Sequence, residues 1–190
     1  MQMPQAVAAA AKQAIEALKA AKFTIATAES CTGGLVAGAL TSISGASDVF
    51  HGGFITYANT AKSTMIGVQA RLIRDYGAVS AQVARAMADG ARNRANVNLA
   101  VSITGVAGPQ GGSEKKPVGL VYLACATHEG TRVVEKRFGD LGRDGIREAA
   151  VLAALELVID VATNGVEADK PPPVEVKAKS TEPKAKLRTR

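Results

Sequence analysis

The amino-acid sequence predicts an α/β fold, a three-layer α/β/α sandwich with a mainly parallel sheet of about five strands and one antiparallel strand. Strand-like and helix-like patterns alternate as far as residue 104, and two further strand-like runs then form a hairpin. A chain of 190 residues with 47% hydrophobic content can also bury one sizeable core. We therefore expect a single domain over residues 1–163.

The first four elements are predicted from short apolar runs and helical periodicity. An amphipathic helix is expected over residues 4–21, because apolar side chains recur there at the 3.6-residue period. Phe23 to Ala28 reads as the first strand, and Gly34 to Thr41 as the helix that follows a short turn. Gly53 to Ala58, rich in Ile, Thr and Tyr, reads as the second strand.

Capping residues mark the next elements. Asn59 is expected to cap a short helix from Thr60 to Ile66, and Ser80 is expected to cap a helix that begins after the Gly77 turn. The apolar residues of that second helix are spaced by four, as on one helical face. Asn98 to Thr104 is the third predicted strand, and a glycine-rich loop follows it.

The last elements are a hairpin and a long helix. Val118 to Thr127 and Thr131 to Phe138 are expected to pair around the turn at 128–130. Asp144 is expected to cap a final helix, whose apolar residues share one face. In open α/β sheets ligands bind beyond the carboxyl ends of the strands. The loops at 29–34, 58–62 and 105–112 are therefore expected to form one mouth, to which the 138–144 connection could contribute.

Charge and composition exclude several classes of protein. The formal charge is +6, but five Lys and two Arg against two Glu lie within 170–190, so we expect a basic, Pro/Lys-rich disordered tail over 164–190. Nucleic-acid binding is not expected of the core, since no Trp and few aromatics are present, whereas the tail could make weak polyanion contact. Two cysteines argue against a disulfide framework or a structural zinc site. No leader, membrane span, metal or cofactor is expected, and the predicted location is cytoplasmic.

Ser30 is the first candidate catalytic residue, because it lies where a strand ends and a helix begins. The turn of Cys31, Thr32, Gly33 and Gly34 that follows is expected to present backbone N–H groups to an oxyanion or phosphate. A structural alternative remains open at this point, in which Ser30 or Thr32 only caps the helix. Cys31 is a second candidate nucleophile. It ranks after Ser30, because neighbours around a tight turn usually point in different directions and no histidine is expected nearby to make a thiolate.

A serine nucleophile needs a base, and Lys62 is the better candidate. His51 and His128 are expected away from the mouth, which disfavours a Ser-His-Asp arrangement. Lys62 follows the second strand and falls in the first turn of a helix, where the helix dipole disfavours its ammonium form. Its alternative reading is a solvated surface lysine. Tyr57 could relay a proton or hydrogen-bond the nucleophile, or could be a half-buried strand aromatic.

Two further features could hold a phosphate. The loop from Gly105 to Gly112 has four glycines, whose backbone can approach a ligand closely, although its spacing matches neither a Walker loop nor a Rossmann fingerprint. Arg143 could pair with phosphate through its guanidinium fork, or could lie on the surface with Arg147. The residues leave this choice open.

Taken together, several segments resemble the C-terminal domain of the competence/damage-inducible protein CinA. The likeness is colinear from about Val7 to Val161, and it is carried by Thr27-Ala28-Glu29-Ser30-Cys31-Thr32-Gly33-Gly34, Gly53-Phe54-Ile55-Thr56-Tyr57-Ala58-Asn59 with Lys62, Gly77-Ala78-Val79-Ser80, Ile103-Thr104-Gly105-Val106-Ala107-Gly108-Pro109, Gly112-Ser113 and Lys116-Pro117-Val118-Gly119. One departure is Leu141-Gly142 before Arg143, where several members have Gly-Asp.

The resemblance implies a nicotinamide-nucleotide amidohydrolase, which converts nicotinamide mononucleotide to nicotinate mononucleotide and ammonia in pyridine-nucleotide salvage. It implies Ser30 as nucleophile, Lys62 as base and Tyr57 nearby. Thr104 and Arg143, with Gly105 and Gly108 of the adjoining loop, are expected to line the substrate site. It also implies a small nucleotide as partner, a homo-oligomer, and a stand-alone form without the N-terminal molybdopterin-binding-like domain of larger members. The alternatives are a non-catalytic nucleotide-binding or competence accessory protein, and an amidase for another small amide.

Overall fold

A five-stranded mixed sheet forms the middle layer of the computed structural model, which describes residues 3–166. Its elements in chain order are α1 (Gln5–Ala21), β1 (Ile25–Glu29), α2 (Leu35–Thr41), a 3₁₀ turn (Ala46–Asp48), β2 (Phe50–Ile55), α3 (Asn59–Ile66), α4 (Ala70–Tyr76), α5 (Ala81–Ala95), β3 (Leu99–Gly105), β4 (Leu120–Ala126), β5 (Thr131–Arg137) and α6 (Gly142–Asn164). The strand order is β2-β1-β3-β4-β5.

The sheet is parallel except for one strand. β1 pairs in parallel with β2 on one side and β3 on the other, while β4 runs antiparallel to both of its neighbours. Helices α1, α2 and α6 share a core on one face of the sheet, and α3, α4 and α5 cover the other. The predicted three-layer α/β/α class is therefore confirmed.

The register of the three parallel strands places their carboxyl ends at one level. Glu29, the last residue of β1, lies opposite Ile55 of β2 and Ile103 of β3. All five residues of β1 are buried, as expected for a central parallel strand with helices on both faces. The loops that follow these strands consequently meet above the end of β1, where Ser30 begins the next turn.

A close helix contact sets the position of α3. A Cβ built on Gly90 of α5 would lie 1.9 Å from the carbonyl oxygen of Ile66, the last residue of α3. Only glycine allows this approach of the two backbones. The contact holds α3 against α5, and Lys62 lies four residues before the contact point.

Some element boundaries differ from the sequence-based expectations. Ser80 caps α5 as expected, since its hydroxyl accepts the Val83 N–H at 3.3 Å. Asn59 is wrong as a cap: it is the first residue of α3 and makes no capping bond. Asp144 is also wrong as a cap, because α6 begins two residues earlier, and Asp140 Oδ1 accepts the Gly142 N–H at 3.1 Å instead.

Two other differences concern segments with weak sequence signals, and one prediction falls mostly outside the described residues. Helix α4 was not predicted, and none of its seven residues is buried; its Leu72 and Ile73 are only half-buried against the core. β2 begins at Phe50 rather than at the expected glycine, which places His51 inside the strand, exposed and at its amino end. Of the predicted tail over 164–190, all but residues 164–166 lies outside the described residues. The domain boundary thus stays a prediction.

Candidate active site

Ser30 immediately follows β1, an interior strand of the sheet, and its backbone is held by the neighbouring strand β3. Its N–H donates to Ile103 O at 3.0 Å, and its carbonyl accepts the Gly33 N–H at 3.1 Å to close the turn. The residue is 9% exposed. A hydroxyl on a backbone fixed from both sides is well oriented for reaction at the mouth of the sheet.

Lys62 points from the first turn of α3 to the Ser30 hydroxyl. Its Nζ lies 3.1 Å from Ser30 Oγ, and it also donates to Thr56 O at 2.8 Å and Tyr57 O at 3.4 Å. The side chain is 1% exposed, and within residues 3–166 it forms no ion pair. The alternative reading of a solvated surface lysine is therefore wrong.

Burial lowers the pKa of Lys62, because the ammonium form is removed from water. The direction agrees with the sequence-based expectation, but burial is the main cause rather than the helix dipole. A lowered pKa increases the fraction of neutral amine near neutral pH, and a neutral amine beside a hydroxyl can accept its proton. The pair has the geometry of a serine nucleophile with a lysine base.

Cys31, the second candidate nucleophile, is 7% exposed and close to the same lysine. The pKa of its thiol is raised to about 11, mainly by burial; the Glu29 carboxylate also raises it, while the backbone N–H groups of Cys31 and Thr32 and the Lys62 amine lower it. The thiol is consequently protonated at neutral pH, and the thiolate is the reactive form. Ser30 is the better placed of the two groups.

Glu29 is a functional candidate that the sequence analysis missed. Its buried carboxylate accepts the N–H groups of Gly34 at 2.9 Å, Val36 at 3.1 Å and Ala37 at 2.8 Å. These are donors of the first turn of α2, so a side chain already fills the predicted anion site at this helix N-terminus. The expectation that Gly34 offers its N–H to an oxyanion is therefore wrong. Neither Ser30 nor Thr32 caps α2.

Tyr57, Arg143 and Gly108 meet at the outer edge of the mouth. Arg143 Nη1 donates to Gly108 O at 2.9 Å, and its Nη2 donates to the Tyr57 hydroxyl at 3.3 Å. Tyr57 is 60% exposed, and its phenol contacts Arg143 while only its carbonyl reaches Lys62. The structure thus brings the glycine-rich loop and the arginine together, although the sequence presented them as alternatives.

Thr104 and Gly105 form the floor of this region rather than its surface. Thr104 is 1% exposed, and its hydroxyl donates to Ala78 O at 2.8 Å, which ties the turn before α5 to the end of β3. A Cβ on Gly105 would lie 2.7 Å from the Val121 side chain. Thr104 lies at the predicted end of β3, whereas Gly105, predicted to begin the loop, is the last residue of the strand. The contacts of both residues are directed into the protein.

Arg147 contacts the turn at residues 30–34, here called the serine turn. It lies four residues after Arg143 on α6, so both guanidinium groups extend from one helix face. Its Nη2 donates to Thr32 O at 3.1 Å, whereas the buried Thr32 hydroxyl has no hydrogen-bond partner. A surface position for Arg147 is one of the alternatives that the sequence leaves open, and the structure places its guanidinium against Thr32 instead. The four-residue spacing from Arg143 is the sequence feature that indicates that both arginines lie on the same helix face.

Within residues 3–166 no three His, Cys, Asp or Glu side chains are grouped so as to hold a metal ion. None of the helices in that range is long and apolar enough to cross a membrane.

Comparison with known proteins identifies the family. The model of the CinA C-terminal domain matches residues 7–162. The CinA-like protein of Synechococcus sp. (strain RCC307) is 52% identical over 145 residues, which are 76% of this chain and 35% of that protein. The nicotinamide-nucleotide amidohydrolase PncC of Escherichia coli (strain K12) is 48% identical over 145 residues, 76% of this chain and 88% of that protein.

A solved structure agrees with these matches. The competence/damage inducible protein CihA from Agrobacterium tumefaciens superposes with a TM-score of 0.82 at 47% identity, covering 85% of this chain and 98% of that chain. The chain spans about a third of the length of the CinA-like relatives that it matches. From the match of the family model over most of its length, the chain belongs to the CinA C-terminal domain family.

Proposed function

We propose that the protein hydrolyses the carboxamide of nicotinamide mononucleotide to nicotinate mononucleotide and ammonia. The observation that carries the proposal is the 3.1 Å contact between Ser30 Oγ and the buried Nζ of Lys62. The name of the similar amidohydrolase from Escherichia coli supports the choice of substrate. This reaction belongs to pyridine-nucleotide salvage.

Acylation begins with attack of Ser30 Oγ on the carboxamide carbon, while the neutral Lys62 amine accepts the hydroxyl proton. The carbonyl oxygen becomes an oxyanion. Collapse of this intermediate breaks the C–N bond, and the Lys62 ammonium returns its proton to the leaving ammonia. An ester between Ser30 and the nicotinoyl group remains.

Deacylation uses the same two residues. Lys62 removes a proton from water as the water oxygen attacks the ester carbon, and the proton then returns to Ser30 Oγ as the carboxylate leaves. Cys31 and Thr32 are the proposed oxyanion donors, because Gly33 and Gly34 already donate to Ser30 O and Glu29. A well-placed donor of this kind contributes about 3–4 kcal/mol to transition-state stabilisation.

We assign the phosphate to Arg143. Its guanidinium lies at the exposed edge of the mouth and is oriented by Gly108 O and the Tyr57 hydroxyl. In this role Tyr57 contacts substrate and orients the arginine, and the proton of Ser30 passes to Lys62 alone. The buried Thr104 hydroxyl supports the site from below through its bond to Ala78.

The test is ammonia release from nicotinamide mononucleotide by the wild type, Ser30→Ala and Cys31→Ala, measured side by side. Ser30→Ala is expected to lose activity, while Cys31→Ala retains it because its thiol is protonated. Full turnover by Ser30→Ala would reject the mechanism, and loss in Cys31→Ala alone would select the thiol. A panel of carboxamides with and without phosphate tests the alternative of an amidase for another amide.

A second arm tests the non-catalytic alternative. Deletion of residues 165–190 removes the basic segment that could contact a polyanion. An enzyme of the proposed kind keeps its turnover after the deletion. Loss of polyanion binding, with no ammonia release by either form, would instead favour an accessory protein.

A further inference from the structure

Glu29 is a buried carboxylate immediately before the candidate nucleophile. The residue is 0% exposed. One carboxylate oxygen accepts two backbone N–H groups, from Gly34 and Val36, and the other accepts the N–H of Ala37. A buried carboxylate is costly unless it is fully hydrogen-bonded, and here the donors are those left unpaired at the start of α2.

The backbone of the same residue is fixed in the sheet. The carbonyl of Glu29 accepts the Thr56 N–H at 2.7 Å, and the next N–H, that of Ser30, donates to Ile103 O. Glu29 therefore holds the serine turn at both ends: its backbone fixes the start, and its side chain fixes Gly34. The four residues between them, 30–33, form a closed loop whose outer side is bound by Arg147.

This arrangement decides which donors of the turn are available. Because the carboxylate takes the N–H groups of residues 34, 36 and 37, a developing oxyanion cannot use them. Among the described residues, the N–H groups of Cys31 and Thr32 donate to no oxygen, and both lie near the Cys31 thiol.

We propose that Glu29 is a positioning residue, whose carboxylate at the N-terminus of α2 fixes the serine turn with Ser30 Oγ towards Lys62 and with the Cys31 and Thr32 N–H groups donating to no oxygen among the described residues. The inference deepens the proposed function and rests on it for the turnover measurement. Glu29 does not touch the reacting atoms. It acts through the geometry of the turn.

Glutamine is the informative replacement, because it keeps the shape of glutamate but presents an NH₂ group on one side. Whichever way the amide is turned, that NH₂ faces backbone N–H donors that the carboxylate accepted. The turn must then shift. A displacement of about 1 Å at a catalytic group can cost about 100-fold in rate.

Thr27→Val is the matched control. Thr27 lies two residues earlier on the same strand, is equally buried, and its hydroxyl has no hydrogen-bond partner. The substitution keeps the side-chain shape on the same strand without touching the serine turn. We expect turnover and stability close to those of the wild type.

The experiment compares Glu29→Gln, Thr27→Val and the wild type by kcat and KM for nicotinamide mononucleotide, by the rate at which a sulfonyl fluoride modifies Ser30, and by thermal unfolding. All rates are measured well below the unfolding midpoint of the variant. We expect Glu29→Gln to lower kcat by about tenfold or more with little change in KM, and to slow the modification of Ser30 in parallel. A variant that is only less stable, with unchanged kcat and Ser30 reactivity, would overturn the inference.

Two further arms keep the result decisive. If Glu29→Gln does not fold, Glu29→Asp keeps the charge on a shorter side chain, and the same losses of kcat and labelling rate are expected. If the wild type labels at Ser30 but releases no ammonia, the proposed substrate is wrong. The labelling rates of the variants then still decide the role of Glu29.

Discussion

Replacement of Lys62 by methionine removes the candidate base while keeping most of the buried side chain. Methionine has nearly the same length and an apolar stem, so the packing of α3 against α5 should be retained. What is lost is Nζ, which leaves Ser30 Oγ, Thr56 O and Tyr57 O without this donor.

The expected loss of activity is large. General base catalysis contributes about 10²- to 10⁴-fold to a rate, which corresponds to about 3–5 kcal/mol in the activation barrier. The stability change is smaller. Loss of the donor to the buried Thr56 carbonyl costs about 1–3 kcal/mol, and this is offset in part because the variant no longer buries an amine.

The pH dependence separates these two effects. Since the pKa of Lys62 is lower in the folded state than its ordinary value of 10.5, the unfolded chain binds more protons between the two values. The stability of the wild type should therefore rise with pH through that window, a rise that the variant lacks. The activity of the wild type should also rise with pH as the amine loses its proton.

The assay is ammonia release across the neutral to alkaline range, with thermal unfolding at each pH. Lys12→Met is the control, because it makes the same replacement at an exposed lysine of α1. A Lys62→Met variant within about tenfold of wild-type turnover would refute the assignment of the base. A wild-type rate that does not change with pH would refute the proposal that Lys62 acts in its neutral form.

Four other substitutions have expected outcomes. Gly90→Ala should lower the free energy of unfolding by about 3 kcal/mol, since its Cβ would meet Ile66 O. Gly38→Ala is the control, a helical position where no atom lies within 4 Å of the new Cβ, and it should raise the free energy of unfolding by about 0.5–1 kcal/mol. Urea titration measures both variants, and equal effects would contradict the close contact between Gly90 and Ile66. Ser80→Ala should cost about 1 kcal/mol in the same titration, and no change would mean that the cap is dispensable. Arg143→Gln should raise KM for nicotinamide mononucleotide about tenfold but not for the riboside, and equal changes in steady-state kinetics would remove the phosphate from this residue.

Much of the fold was predictable because its signals are local. The buried run of β1 and the glycine-bearing turn after it predict a strand, a turn and a helix within one short segment. The approach of Lys62 to Ser30 was also predictable, because both residues follow the carboxyl ends of parallel strands, and such ends meet at one edge of a sheet.

The remaining features depend on contacts that no local pattern encodes. A helix cap is decided by the backbone angles of a single residue, so Asn59 and Asp144 were assigned wrongly. The pattern around Glu29 predicts an anion site at the start of α2, and it does not reveal that the preceding side chain reaches across the turn to fill it.

The separation of Glu29 and Lys62 supports the proposed role of Lys62 as a base. Both are buried and flank the serine turn, yet they form no ion pair, since the carboxylate is satisfied by backbone N–H groups and the amine by strand-end carbonyls. An adjacent carboxylate would raise the pKa of the amine and keep it protonated. Carbonyl oxygens carry no net charge, so burial prevails and lowers that pKa. The three N–H donors that hold the turn thus also satisfy the carboxylate, and the proposed transfer of the Ser30 proton requires an amine without such a charged partner.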